Sequence, residues 1–215
     1  MKNLLRISIA LLFVTFSFQS YSQLRYGPKV GLNFAKQKVE FDGKTSDDIK
    51  SRVSFAIGGV ADYAFTDELS LQPSLMLSGK GYKVDMSFDG ESATAWQRLY
   101  YLELPINVVY KYDIGVLKIY GTAGPTFALA IGGSSKVEVD GKTETEKIKF
   151  GDGDDDDGIK RGDFGLNFGA GVEISSFQFE LNYNFGLMNT SYDDNSSAKN
   201  RVFSLSASYF FGDGF

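Results

Sequence analysis

FGLNFGAGVEI at residues 164–174, SS at 175–176 and FQFELNYNFGL at 177–187 form the stretch whose reading decides the fold. In the first run Phe164, Leu166, Phe168, Ala170, Val172 and Ile174 alternate with Gly165, Asn167, Gly169, Gly171 and Glu173. In the second, Phe177, Phe179, Leu181, Tyr183, Phe185 and Leu187 alternate with Gln178, Glu180, Asn182, Asn184 and Gly186. A period of two puts successive side chains on opposite faces of a strand, and a two-residue link between two such runs makes an antiparallel hairpin. One face of this hairpin is bulky and apolar; the other is small, polar and rich in glycine.

Six further stretches repeat the pattern, near residues 26–37, 52–65, 69–80, 101–112, 117–131 and from 201 onward. The links between them alternate in length. Thr66-Asp67-Glu68, Asp113-Ile114-Gly115 and Ser175-Ser176 are tight turns, whereas every other connection is long. A soluble ligand barrel would turn its apolar face inward and show the Ser/Gly/Asn series to water. That series is too small for a good solvated surface, and the lumen would be crowded with Phe, Tyr and Leu. The inverse arrangement fits: an all-β, eight-stranded antiparallel up-and-down transmembrane β-barrel, with short periplasmic turns, long extracellular loops and an even strand number.

The start of the chain agrees with export. Lys2 and Arg6 precede an apolar stretch from Ile7 to Phe18, and Ser20-Tyr21-Ser22 places small residues at a cleavage site before Gln23. Residues 1–22 therefore read as a cleaved secretory signal peptide and 23–215 as the barrel domain. Loss of Lys2 and Arg6 takes the formal charge from −5 to −7, a balance that argues against nucleic acid as a partner. The expected location is the outer membrane of a Gram-negative bacterium, with the lipid bilayer and the outer-membrane assembly machinery as partners. Tyr209, Phe211 and Phe215 share one parity and supply a C-terminal aromatic signal, with Phe211 as the effective terminal aromatic.

The inward parity carries Lys29, Lys80, Lys111 and Lys118 against Asp62, Glu103, Glu173 and Glu180. Buried charges persist only when paired and hydrogen-bonded, so this set reads as an ion-pair plug of the lumen. Strand ends place Lys118 opposite Glu173 near the periplasm and Lys80 opposite Glu103 nearer the outside. With no His and no Cys, a Ser-His-Asp triad, a Cys-His pair and histidine metal sites are all excluded, and the chain reads as a non-enzyme. Within the long 132–162 connection lies GDGDDDDG at 151–158. Its Asp152, Asp154 and Asp156 are candidate ligands for a divalent cation such as Ca2+, although Asp157 stands where an EF-hand loop needs glycine. A solvated acidic loop tip explains the same run without a cation.

Several stretches resemble the PorT-type outer-membrane β-barrel family: YGPKVGLNF at 26–34, LQPSLML at 71–77, YLELPI at 101–106 and GLNFGAGVE at 165–173. The resemblance implies an outer-membrane barrel and brings no catalytic residues with it. The family's naming member is associated with protein secretion across the outer membrane. Two expectations follow. The first is a barrel that presents extracellular loops for surface contact or assembly with envelope partners; the other is a narrow channel or an accessory component of a secretion system.

Overall fold

The computed structural model describes residues 24–41, 44–45, 49–88, 91–139, 142–148, 150, 159–191 and 196–212. The expected signal peptide at 1–22, the acidic run at 151–158 and the tail at 213–215 lie outside the described residues.

Ten strands follow in order: β1 (Leu24–Phe41), β2 (Lys44–Thr45), β3 (Ile49–Ala64), β4 (Leu69–Phe88) and β5 (Glu91–Asp113), then β6 (Lys118–Val139), β7 (Lys142–Lys147), β8 (Gly162–Ile174), β9 (Phe177–Gly186) and β10 (Ser196–Tyr209). Eight of them form the ring, in the order β1, β3, β4, β5, β6, β8, β9, β10, and pairing of β10 with β1 closes it. The closing seam runs from Lys29 opposite Ser208 to Phe41 opposite Ser196. Every neighbouring pair in the ring is antiparallel. The short strands β2 and β7 hang on the extracellular ends of β1 and β6.

The turns at one end are tight for identifiable reasons. Thr66 Oγ1 accepts from the amides of Glu68 and Leu69 and so fixes the β3–β4 link. Asp113 Oδ1 accepts from the amide of Gly115 at 2.7 Å, and Gly115 has φ +95°, a left-handed conformation that costs glycine nothing. Ser175 takes φ +53° in the β8–β9 turn.

Burial is inverted relative to a water-soluble protein. Val53, Leu75 and Ile57 are 59%, 55% and 51% exposed, whereas Lys80 and Asp62 are 2% and 1% exposed. The outward residues make a band around the ring, with Tyr26, Tyr110, Tyr112, Phe177, Tyr209 and Phe211 clustered at its periplasmic edge. Along β1 the exposed apolar positions run from Leu24 to Phe34, a length that suits the 9–11 residues a tilted strand needs to cross a bilayer.

The extracellular connections are long, as expected, and much of their described part is strand. β4 and β5 continue as a hairpin to Phe88 and Glu91, where the sequence pattern suggested a loop between residues 80 and 101. β6 likewise continues to Val139 and folds back into β7. At 23 residues β5 is about twice as long as a span requires, so about 40 Å of strand, or about 28 Å of height at a tilt of roughly 45°, extends past the span. Strand alternation weakens here because both faces meet water or loops, which is why these extensions read as loops from sequence.

A bilayer-facing charge should be expensive. Leu75→Arg, in the middle of the apolar band of β4, should lower stability by about 2–4 kcal/mol. An equilibrium unfolding titration in lipid vesicles checks this; a loss within the scatter of Leu75→Ile would remove Leu75 from the bilayer.

Candidate functional site

The lumen is where the sequence-derived residues converge. Alternation brings glycines and short polar side chains inward, which leaves room for a few long charged ones. Gly171 shows the constraint: a Cβ there would stand 2.5 Å from the Tyr120 hydroxyl, so the Tyr120 ring occupies the space that glycine vacates on the adjacent strand.

At the periplasmic level four ring strands meet in one charge cluster. Arg25 on β1 makes a bidentate contact with Glu173 on β8, Nη1 to Oε1 at 2.8 Å and Nη2 to Oε2 at 3.0 Å. The same Nη2 reaches Asp62 Oδ2 on β3 at 2.6 Å. Lys111 Nζ on β5 lies 2.7 Å from Asp62 Oδ2 and 3.4 Å from Glu173 Oε2. Gln178 donates to Glu173 Oε2 at 2.7 Å, and the Arg25 guanidinium stacks 4.7 Å from the centre of the buried Phe210 ring. Two cations face two carboxylates, and all four side chains are buried. Bidentate geometry and shared partners are what make such burial tolerable.

A second cluster lies nearer the outside. Lys80 Nζ on β4 contacts Glu103 Oε1 at 2.7 Å and Asp163 Oδ2 at 3.0 Å. Asn200 on β10 donates to the same Asp163 oxygen at 2.8 Å, and Gln37 on β1 donates to Asn200 Oδ1 at 3.2 Å. The Lys80 ammonium also sits 4.8 Å from the centre of the Tyr101 ring.

Between the clusters, Lys29 Nζ contacts Glu180 Oε1 at 3.1 Å. Asn33 joins Ser78 and Ser204, and Asn167 joins Asn184 and Thr126. A cavity of about 70 Å³ remains among these groups, lined by Lys29, Asn33, Ser78, Asn107, Thr126 and Glu180.

The outer mouth is closed differently. Ile148, Phe150 and Ile159, from the segment joining β7 to β8, pack on Leu99, Tyr101 and Ala130, whose exposures are 0%, 0% and 1%. Backbone bonds hold this cap: Ile148 N to Gly133 O at 3.1 Å, Ala130 N to Arg161 O at 2.8 Å and Lys160 N to Thr190 O at 2.9 Å.

Of the residues chosen from sequence, Lys80 and Glu103 meet directly, Lys29 meets Glu180, and Lys111 meets both Asp62 and Glu173. The expected partnership of Lys118 with Glu173 is replaced. The two are opposite in register, but the Glu173 carboxylate is taken by Arg25, Lys111 and Gln178. Lys118 is half-buried on the wall of a periplasmic recess of about 310 Å³ that Arg25, Glu173 and Ser175 also line. Two members of the clusters were missed. Arg25 lies one residue before the expected first strand, and Asp163 lies one residue before the run that begins at Phe164. Both carry inward parity, Arg25 with Gly27 and Lys29 and Asp163 with Gly165 and Asn167, so extending the alternation by one step would have found them. Asp152, Asp154 and Asp156 fall outside the described residues.

A closed antiparallel ring with an apolar exterior and a charged, filled interior defines an integral outer-membrane β-barrel. The chain belongs to the family described as outer membrane protein beta-barrel domain, which it matches over residues 16–192. No curated protein matches the sequence. Among solved structures it is similar to Ail, the attachment invasion locus protein of Yersinia pestis, at 19% identity over 88% of this chain and 99% of that one, with a TM-score of 0.40. Neisserial surface protein A is similar at 14% identity over 86% and 97%, with a TM-score of 0.42. OprG from Pseudomonas aeruginosa is similar at 11% identity over 91% and 98%, with a TM-score of 0.47.

Removing one member of a cluster strands its partners. Lys80→Met leaves Glu103 and Asp163 facing each other and should cost about 3–5 kcal/mol. Adding Asp163→Asn should restore part of that loss, a coupling that a double-mutant cycle in detergent would measure. In the lower cluster, Lys111→Met should cost more than Lys118→Met, since Glu173 retains Arg25 and Lys111 when Lys118 is removed. Equal losses at the two lysines would contradict the observed partnership.

Proposed function

We propose that this protein is a non-enzymatic, non-conducting outer-membrane barrel whose working surface is its extracellular β-structure, presented for surface contact or for assembly with envelope partners. The observation that carries the reading is the closure of the lumen at three levels: the Arg25–Asp62–Lys111–Glu173 cluster, the Lys80–Glu103–Asp163 cluster and the apolar cap of Ile148, Phe150 and Ile159. A cavity of about 70 Å³ between two buried ionic layers has room for a handful of waters and none for a solute path. Among the described residues, the outside of the barrel carries strand: β4, β5, β6 and β7 pair side by side above the apolar band.

The runner-up is the narrow channel or secretion accessory implied by the PorT-type motifs at 26–34, 71–77, 101–106 and 165–173. The resemblance supports a kinship within the outer-membrane barrels and adds no residue that a transport step would use. Export by a signal at residues 1–22 belongs to the same proposal, as does recognition of Phe211 by the assembly machinery.

Planar-bilayer recording decides between the two readings. The reconstituted barrel should give no stable unitary current at neutral pH. Reproducible conductance steps would establish a path through the lumen and favour the channel.

A further inference from the structure

The outward face above the apolar band is basic. Alternation continues upward from the bilayer-facing Leu102 on β5 through Tyr100 to Arg98, Trp96 and Thr94, so these side chains point away from the barrel axis. Cross-strand partners share a face. Trp96 is opposite Lys83 on β4, which is opposite Lys50 on β3; on the other side Trp96 is opposite Lys136 on β6. One continuous row therefore reads Lys50, Lys83, Trp96, Lys136. The ammonium groups of Lys136 and Lys83 flank the Trp96 ring at 4.8 and 5.8 Å from its centre.

The adjoining wall continues the charge. On β1, the ring neighbour of β3, the outward positions above Phe34 are Lys36 and Lys38; Lys199 lies opposite Lys38 on β10, while Arg201, opposite Lys36, is buried against the Phe185 ring. Among the described residues, acidic ones on this outward surface are fewer. Asp85 is shared by Lys50 at 2.9 Å and Lys83 at 2.9 Å, which hold its carboxyl down at about 2; Glu138 lies 3.4 Å from Lys136, and Glu40 pairs with Lys38. At the other end of the barrel the signs invert, and the exposed turns carry Asp67, Glu68 and Asp113. Among the described residues, outward-facing cations are thus concentrated at one membrane edge.

Height identifies what meets them. Arg98 and Trp96 stand two and four residues above Tyr100, so they rise about 5 and 10 Å beyond it along a strand tilted by roughly 45°. That is the depth of the polar layer flanking the hydrocarbon core, where tryptophan anchors and where cations meet anionic headgroups.

We propose that this row, Lys50, Lys83, Trp96 and Lys136 with Arg98 beneath it, binds the phosphorylated sugar headgroup of an outer-leaflet glycolipid. The lysines neutralise the phosphates and the indole face packs on the sugar ring. The site is continuous with the bilayer contact of the same strands, so the lipid's acyl chains lie along Leu102 and Leu104 while its headgroup lies against Arg98 and Trp96. The inference rests on the outer-membrane location and is independent of whether the lumen conducts.

Trp96 is the only tryptophan in the chain, so its fluorescence reports the site directly. The purified full-length barrel in an uncharged detergent is titrated with bisphosphorylated lipid A, with dephosphorylated lipid A and with inorganic phosphate. The bisphosphorylated lipid should give a saturable change in emission that weakens with added salt. Lys83→Gln/Lys136→Gln should bind it on the order of 25-fold more weakly, at about fivefold per lysine near a charged surface. Lys142→Gln, at a position that pairs with Val139 on the opposite face, should bind like the parent protein. Equal affinity of the double variant, equal binding of the dephosphorylated lipid, or saturation by inorganic phosphate alone would each overturn the proposal. Should the double variant fail to fold, salt-independent binding by the parent protein would do the same.

Discussion

Hydrocarbon offers no hydrogen-bond partner, so every amide and carbonyl crossing the bilayer must be satisfied by the chain itself. In a sheet that demand is met only by closure, and the seam between β1 and β10 is where closure happens. Its register decides more than hydrogen bonding. With a side-chain period of two, a slip of one residue at the seam would carry Lys29, Asn33 and Gln37 to the lipid and draw Val30, Leu32 and Phe34 inward. The seam holds its register in part through side chains: Gln37 on β1 bonds to Asn200 directly opposite it on β10, and Arg25 reaches across the lumen to Glu173 on β8.

This gives the buried charge a role that an apolar filling could not play. An apolar lumen in an apolar solvent would provide no preference for one face of each strand over the other. Lysines and carboxylates in the lumen make the alternative packing prohibitive, because an unpaired charge facing the bilayer midplane costs several kcal/mol. The clusters join strands that are not neighbours. Glu173 on β8 is tied to Arg25 on β1 and to Lys111 on β5, and Lys80 on β4 is tied to Asp163 on β8. Such cross-braces constrain the shape of the ring, which backbone ladders alone leave free to flatten.

The legible part of this structure is the part under the strictest solvent constraint. Within the bilayer each position must suit either lipid or a narrow polar lumen, so alternation in 164–187 or 102–112 is clean and the strands are read directly. Above the membrane both faces of β4, β5, β6 and β7 meet water or other loops. Val84, Val137 and Val139 then alternate only loosely with charged residues, and the strands resemble loop sequence. Parity identifies which residues face inward but not how far each side chain reaches. It placed Lys118 and Glu173 opposite each other correctly in register, yet Arg25, with its longer and forked side chain, claims the carboxylate from the other side of the lumen.

The same physics separates the barrel's two ends. The periplasmic turns are as short as the backbone permits, with Asp113 and Thr66 supplying the hydrogen bonds that a longer loop would have to find elsewhere. Nothing in spanning the membrane demands the opposite end. β5 runs to 23 residues where about 11 would cross, and every extra residue must be ordered at a conformational cost of about 1–2 kcal/mol. That cost is offset only by pairing of the extensions with one another and by the cap packed on Leu99 and Tyr101. The row of Lys50, Lys83, Trp96 and Lys136 lies on the outer surface that these paired extensions build.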